Sequence, residues 1–124
     1  KLVHKKLDGV DMAVLHNLMR NPIDGESIEF NDNRLSLYSA QKGKCAVTGK
    51  QMEADEVICI KKIPKEQGGT DKYSNLLLVC RKIQELLNVK DIKTFSEEMD
   101  KLNLDKKQSD KLLKLRSLAF VESR

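Results

Sequence analysis

The chain predicts an α+β domain, mainly helical, with a small ββα core. Three observations carry that expectation. Val57 to Ile63 is rich in β-formers, and the apolar run Leu76-Leu77-Leu78-Val79 follows after the breaker Gly68-Gly69. Immediately beyond it the period lengthens to that of a helix, through Ile83, Leu86 and Leu87. On both sides of this unit, apolar residues recur at three and four positions: Met12, Leu15, Leu18 and Met19 before it, and Ile92, Phe95, Met99 and Leu102 after it.

The elements follow in order. Residues 1–10 are basic, with Lys1, Lys5 and Lys6, and Gly9 precedes the first helical signal. Asp11 is an N-cap for the first helix, and Asn21-Pro22 ends it, because proline disfavours the helical region for the residue before it. Ser27-Ile28-Glu29-Phe30 alternates and reads as a short strand, followed by the turn Asn31-Asp32-Asn33. A second short helix then carries Leu35 and Tyr38 inward and stops near Gly43. Cys45-Ala46-Val47-Thr48-Gly49 has the form of a knuckle turn leading into the ββα unit. Downstream, Asp105 and Gln108 form a capping box. The helix it opens has Leu112, Leu115 and Ala119 on its apolar side, with Lys107, Lys111 and Lys114 on another face.

Composition narrows the function classes. The 124 residues are 40% hydrophobic, enough for a core and inconsistent with a disordered tail. Aromatics at 4% exclude a stacking platform for single-stranded bases. Lys+Arg 23 against Asp+Glu 19 leaves a net charge of +4, which permits nucleic-acid binding without requiring it. Three widely spaced cysteines make no disulfide framework, so a reducing, cytoplasmic setting is expected. No apolar run approaches the roughly 20 residues of a membrane span, and no signal-peptide pattern is present, so no membrane partner is expected. A start at Lys1 rather than methionine reads as a piece of a longer protein.

The stretch from Cys59 to Leu76, with Ile60-Lys61, Gly68-Gly69 and Asn75, resembles the centre of the HNH endonuclease motif. The resemblance implies a ββα fold of the His-Me finger type. It places the opening metal-binding position at Ile60, the general base at Lys61, the motif asparagine at Asn75, the helix histidine at Gln84 and a further histidine at Asn88. Of these, only Asn75 matches the family residue. Its implied part is to pin the catalytic loop through backbone hydrogen bonds, a structural role more than a catalytic one. HNH cleavage needs a divalent metal to stabilise phosphate charge and a neutral base to activate water. Ile60 has no ligand atom, and Lys61, with an ordinary value near 10.4, is protonated at neutral pH. Gln84 offers only an amide. Family-type cleavage is therefore expected to be lost, and no metal or other cofactor is predicted. Asp55, Glu56, Cys59 and Asp71 lie close in sequence, but loop carboxylates are usually solvated. A structural zinc is also not predicted: Cys45 and Cys80 each lack the second cysteine of a Cys-x-x-Cys knuckle, and zinc takes four ligands. Both read as small buried apolar residues. His4 and His16 lie far from this frame.

Longer segments sharpen the resemblance. Asp32 to Tyr38, Gln41 to Gly49, Lys101 to Gln108 and Lys114 to Ala119 are similar to the C-terminal region of bacterial group II intron-encoded reverse transcriptase/maturase proteins, and they span most of residues 28–119. That family's whole protein helps intron RNA splice and copies it into DNA, while its HNH domain cleaves one target strand. The resemblance implies a helical DNA-binding-type segment at 1–38, a degenerate HNH module at 39–90 and a helical extension at 91–124. It implies double-stranded DNA as partner, with intron RNA in a larger ribonucleoprotein as a further one, in a bacterial cytoplasm. The expected function is nucleic-acid binding without cleavage. Phosphate contacts would come from Lys61, Lys62, Lys65, Lys72, Arg81, Lys82, Lys107, Lys111 and Lys114. One alternative is an active nuclease of altered site using magnesium or manganese; another is a protein- or RNA-contacting scaffold or remnant. The bland reading of the lysines is a solvated face among nearby acids.

Overall fold

The computed structural model describes residues 6–7 and 10–119; Lys1, His4, Lys5 and Gly9 lie outside the described residues. Strand β1 (Lys6–Leu7) pairs antiparallel with β2 (Val10–Asp11), which runs directly into helix α1 (Met12–Arg20). Helix α2 (Ile28–Ala40) follows, then the hairpin strands β3 (Val57–Lys61) and β4 (Leu76–Cys80). Helices α3 (Arg81–Leu87), α4 (Ile92–Asp100) and α5 (Lys106–Ala119) complete the described chain, an α+β architecture. Short 3-10 turns lie at Ala54–Glu56, Lys65–Gln67 and Tyr73–Asn75. Among the described residues, no helix is long and apolar enough to cross a membrane.

Helix α1 starts where the sequence places it. The Asp11 carboxylate accepts from the amides of Ala13 (3.0 Å) and Val14 (3.3 Å), and Asn21 is the C-cap. Its inward stripe is narrower than expected. Val14 and Leu18, one turn apart, are buried, whereas Met19 lies one step further round and is 55% exposed.

The segment after α1 differs from the expectation. Ser27–Phe30 is not a strand and Asn31–Asn33 is not a turn; all but Ser27 belong to α2. The reason is local hydrogen bonding. The Ser27 hydroxyl accepts from the Phe30 amide at 2.9 Å, capping the helix. The Asn31 side chain reaches back to accept from the Ile23 amide at 2.7 Å and donates to the Ser27 carbonyl at 3.1 Å. The buried side of α2 comprises Phe30, Arg34, Leu37 and Tyr38, with Leu35 half-buried beside the core. Arg34 is buried, and among the described residues no carboxylate forms an ion pair with it. Its guanidinium donates to the carbonyls of Leu18 and Asn21, both at 3.3 Å, and so satisfies the C-terminal end of α1.

The hairpin is in register from Val57 opposite Cys80 to Lys61 opposite Leu76. Alternation puts Cys59 and Lys61 on one face with Leu76 and Leu78, and Ile58 and Ile60 on the other with Leu77 and Val79. A lone hairpin is marginal in water, so its stability rests on what covers it. One cover was not foreseen: the Gln41 amide acts as a substitute strand on β4. It accepts from the Leu78 amide and donates to the Leu78 carbonyl, both at 3.0 Å. The Cys45–Gly49 turn lies alongside, with the Ala46 amide donating to the Leu78 carbonyl at 3.1 Å.

The C-terminal helices close the other side. The expected capping box is present: the Gln108 amide donates to Asp105 Oδ1 at 2.8 Å and the Asp105 amide to Gln108 Oε1 at 3.1 Å. The same glutamine donates to the Thr48 carbonyl at 3.1 Å, tying the start of α5 to the knuckle turn. Arg116 donates to the carbonyls of Val89 and Lys90 and lies 4.7 Å above the buried Phe95 ring. In the expected stripe of α4, Phe95 is buried and Met99 packs against the core, but Ile92 is 58% exposed at the helix start. One core results, drawing Leu18, Tyr38, Leu78, Ile83, Phe95 and Leu112 from all parts of the described chain.

Between β3 and β4 the loop passes close to itself. Gly69 donates its amide to the Pro64 carbonyl at 2.9 Å, and a Cβ there would fall onto the carbonyl oxygen of Ile63. Because that neighbour is backbone, relief requires the loop to move. Gly69→Ala is expected to lower unfolding free energy by about 1–3 kcal/mol in a urea titration. An unchanged midpoint would refute this close approach.

Candidate functional site

Strand β3 delivers Ile60 and Lys61 at its end, and α3 places Gln84 with Asn88 one turn later. These positions are distant in sequence, yet they line one open cavity of about 470 Å³. Phe30, Leu87, Leu115 and Ala119 give it apolar walls, while Lys62, Lys65, Glu26 and Glu66 supply charge. The structure thus brings Ile60, Lys61, Gln84 and Asn88 to the lining of one cavity.

What stands at the centre is an ion-paired ammonium. Lys61 Nζ lies 3.1 Å from Glu26 Oε1 and 3.6 Å from Asp71 Oδ1, and 5.1 Å above the Phe30 ring. Asp71 is itself held: Ser27 donates its hydroxyl to Oδ2 at 2.7 Å, and the Asn33 side chain donates to the Asp71 carbonyl at 2.8 Å. Burial alone would favour a neutral lysine. The hydrogen bond and charge of Glu26, with the charge of Asp71, outweigh it and raise Lys61 above its ordinary value. An amine so held carries its proton at neutral pH and has no lone pair with which to accept another.

Asn75 is buried just before β4, and its amide is fully engaged. Oδ1 accepts from the Ile63 amide at 3.0 Å, while Nδ2 donates to the carbonyls of Ile63 at 3.1 Å and Thr70 at 2.8 Å. The Asn75 carbonyl accepts from the Lys62 amide at 2.7 Å. Asn75 therefore fixes the loop that carries Asp71, and every polar atom of its side chain is spent on backbone.

Cys59 shares the strand face of Lys61. Burial pushes its thiol up to about 12; Glu26 and Asp71 add to that, while Arg34 and Lys61 oppose it. It is an inert thiol at neutral pH. The acids considered with it do not converge. Asp55 and Glu56 lie in the 3-10 turn before β3, at the opposite end of that strand from Lys61 and Asp71. Among the described residues, no group of three or more His, Cys, Asp or Glu is placed to hold a metal ion. His16 is exposed on α1, away from the cavity.

The other cations divide into two sets. Arg81 donates to the Asp55 carbonyl at 2.6 Å, and Lys82 lies 3.9 Å from Glu98. Lys62 and Lys65 line the cavity, and Lys72 is exposed on the adjoining loop. Lys107, Lys111 and Lys114 are exposed along one face of α5. Among the described residues, none of these last six has an ion-pair partner. Sequence reasoning missed Glu26, Phe30 and Leu115 in this site. Nothing local marks them, since each reaches the cavity from an element distant in sequence.

Two outcomes follow. Asn75→Ala removes the partners of one buried amide and two carbonyls and is expected to cost about 2–4 kcal/mol in chemical denaturation; a loss under half of the lower figure would show that the loop does not depend on it. Lys61→Met tests the ion pair. A raised folded-state value means that the stabilisation is fully present below the ordinary lysine value, about 10.4, and is lost as pH rises through the raised value. The difference in melting temperature between the parent and Lys61→Met should stay level from pH 7 to about 10 and shrink above it. A difference already shrinking near neutrality would contradict a charged Lys61.

No family model, curated protein or solved structure matches this chain.

Proposed function

We propose that this chain is a non-cleaving nucleic-acid-binding domain of HNH-like ββα architecture. The observation that carries the reading is the occupant of the cavity. Where a nuclease of this plan requires an imidazole base and metal ligands, Ile60, Lys61, Gln84 and Asn88 provide an alkyl group, an ammonium and two amides. The ammonium is paired to Glu26 and Asp71, which leaves Glu66 as the other carboxylate lining the cavity. Among the described residues, Lys62 and Lys65 at the cavity and Lys107, Lys111 and Lys114 along α5 have no ion-pair partner, which suits phosphate contacts. Such contacts fix position on a duplex without reading its sequence.

The proposal includes its setting: the C-terminal DNA-binding and endonuclease-like region of a bacterial group II intron-encoded protein, acting in the cytoplasm. What supports that setting is the similarity of residues 28–119 to that family's segments. Double-stranded DNA is the partner proposed, with the cleavage step absent.

The experiment is a duplex-binding isotherm by fluorescence anisotropy, repeated in rising sodium chloride, beside plasmid nicking with magnesium and manganese. Affinity is expected to fall linearly on a log–log plot, with a slope of about 0.9 for each phosphate contacted. Lys62→Gln, Lys65→Gln and Lys72→Gln together should reduce that slope by about 1 for each contact removed. No metal-dependent nicking is expected. A flat salt response would sink the binding reading, and nicking abolished by Gln84→Ala would replace it with an active nuclease of altered site. Stronger retention of structured RNA than of duplex would redirect the partner.

A further inference from the structure

The knuckle turn and the end of β4 bring together Cys45 and Cys80, distant in sequence and unused by the site described above. The contact is built by backbone. Ala46 donates to the Leu78 carbonyl at 3.1 Å, which lays the turn along β4. The Cys80 amide then donates to Cys45 Sγ at 3.4 Å, and the Thr48 amide donates to the same sulfur at 3.5 Å. The backbone of Cys80 thus sits directly against the Cys45 sulfur. We propose that Cys45 and Cys80 form a redox-sensitive dithiol that closes to an intramolecular disulfide, fastening the Cys45–Gly49 turn to the junction of β4 and α3.

The surroundings divide the chemistry between the two sulfurs. Burial pushes the Cys45 thiol up, but the amides of Thr48, Cys80 and Val47 outweigh it and hold Cys45 below its ordinary value. For Cys80, burial and the neighbouring Cys45 raise the thiol. Access runs the other way: Cys45 is only 2% exposed, while Cys80 is half-buried and within reach of solvent. The residues three positions beyond each cysteine, Thr48 and Ile83, add no thiolate or imidazole, so the pair supplies half of a tetrahedral zinc shell. Reaction between the two sulfurs is the chemistry that remains. Cys59, set beside Arg34, Glu26, Lys61 and Asp71, provides an internal control.

The reaction needs a two-electron oxidant, and a small-molecule disulfide of the glutathione class supplies it. The Cys80 thiolate attacks one sulfur of that disulfide. A mixed disulfide forms, the oxidant's S–S bond breaks, and one small thiolate leaves and takes a proton. The Cys45 thiolate then attacks the Cys80 sulfur, forming the Cys45–Cys80 bond and releasing the second small thiolate, which takes the other proton. Two protein thiols are oxidised and one small disulfide is reduced to two thiols.

The test uses the whole chain equilibrated with oxidised glutathione, or with dithiothreitol as the reduced reference. Free thiols are alkylated before intact-mass measurement and non-reducing peptide mapping. Oxidation should leave one alkylatable cysteine, Cys59, join the peptides of Cys45 and Cys80, and raise the melting temperature by several degrees, all reversed by dithiothreitol. Cys59→Ser should oxidise like the parent, whereas Cys45→Ser should stop at a glutathione adduct on Cys80. Three alkylated cysteines after oxidation, a lasting adduct on the parent chain, or a bridge to Cys59 would overturn the proposal. So would thiols that react only after a chelator removes a metal. The peptide map of the parent chain decides the matter even if Cys45→Ser does not fold.

Discussion

The amide of Asn75 is the constraint on which the site depends. Its hydrogen bonds to Ile63 and Thr70 close the loop between β3 and β4 onto itself. A typical hydrogen bond contributes only about 1 kcal/mol net, but a buried donor or acceptor left unpaired costs about 1–3 kcal/mol. A closed loop with every polar atom engaged therefore has few alternatives of similar free energy. With its path fixed, Gly69 passes under the Ile63 carbonyl, and Asp71 arrives where Ser27 and Asn33 can bind it. The start of α2, the loop and the end of β3 then form one polar network around Lys61.

That network explains why a cation can sit at the centre of a half-buried site. Taken alone, burial would neutralise Lys61 or turn it outward. Two carboxylates and the face of Phe30 compensate, so the charge persists and the side chain stays in place. Ion pairs of this exposure add little to stability. Their effect is positional: they hold a fixed positive charge on the cavity wall. A charge so fixed neither accepts a proton at neutral pH nor favours a second cation beside it.

The parts of the fold that were legible are those governed by neighbours in sequence. The Asp11 cap, the Asn21-Pro22 stop, the Asp105–Gln108 box and the hairpin followed by a helix all depend on contacts within a few residues. That Ile60, Lys61, Gln84 and Asn88 line one cavity has no local signature, because no local rule brings a strand end to a helix face. The error at Ser27–Phe30 came from alternation of polar and apolar residues that a serine cap overrides. It was compounded by Arg34, a charged residue on the buried side of α2 that breaks the apolar period. Glu26 was invisible for a different reason: its partner Lys61 lies on another element, and pairing between exposed-looking charges leaves no pattern in sequence.

These contacts share a strand. At its start, β4 is held by the backbone carbonyl of Asn75 accepting from Lys62; at its middle, by Gln41 on both polar groups of Leu78; at its end, by the amide of Cys80 on the sulfur of Cys45. A five-residue strand with one hydrogen-bonded neighbour would otherwise leave an edge open to solvent or to another chain. Here side chains occupy that edge at two of the three points. The cavity lies near the Asn75 end and the paired sulfurs at the other. A covalent bond between the sulfurs would thus act on the junction of β4 with α3, the helix that carries Gln84 and is capped by Asn88, without touching the network around Lys61.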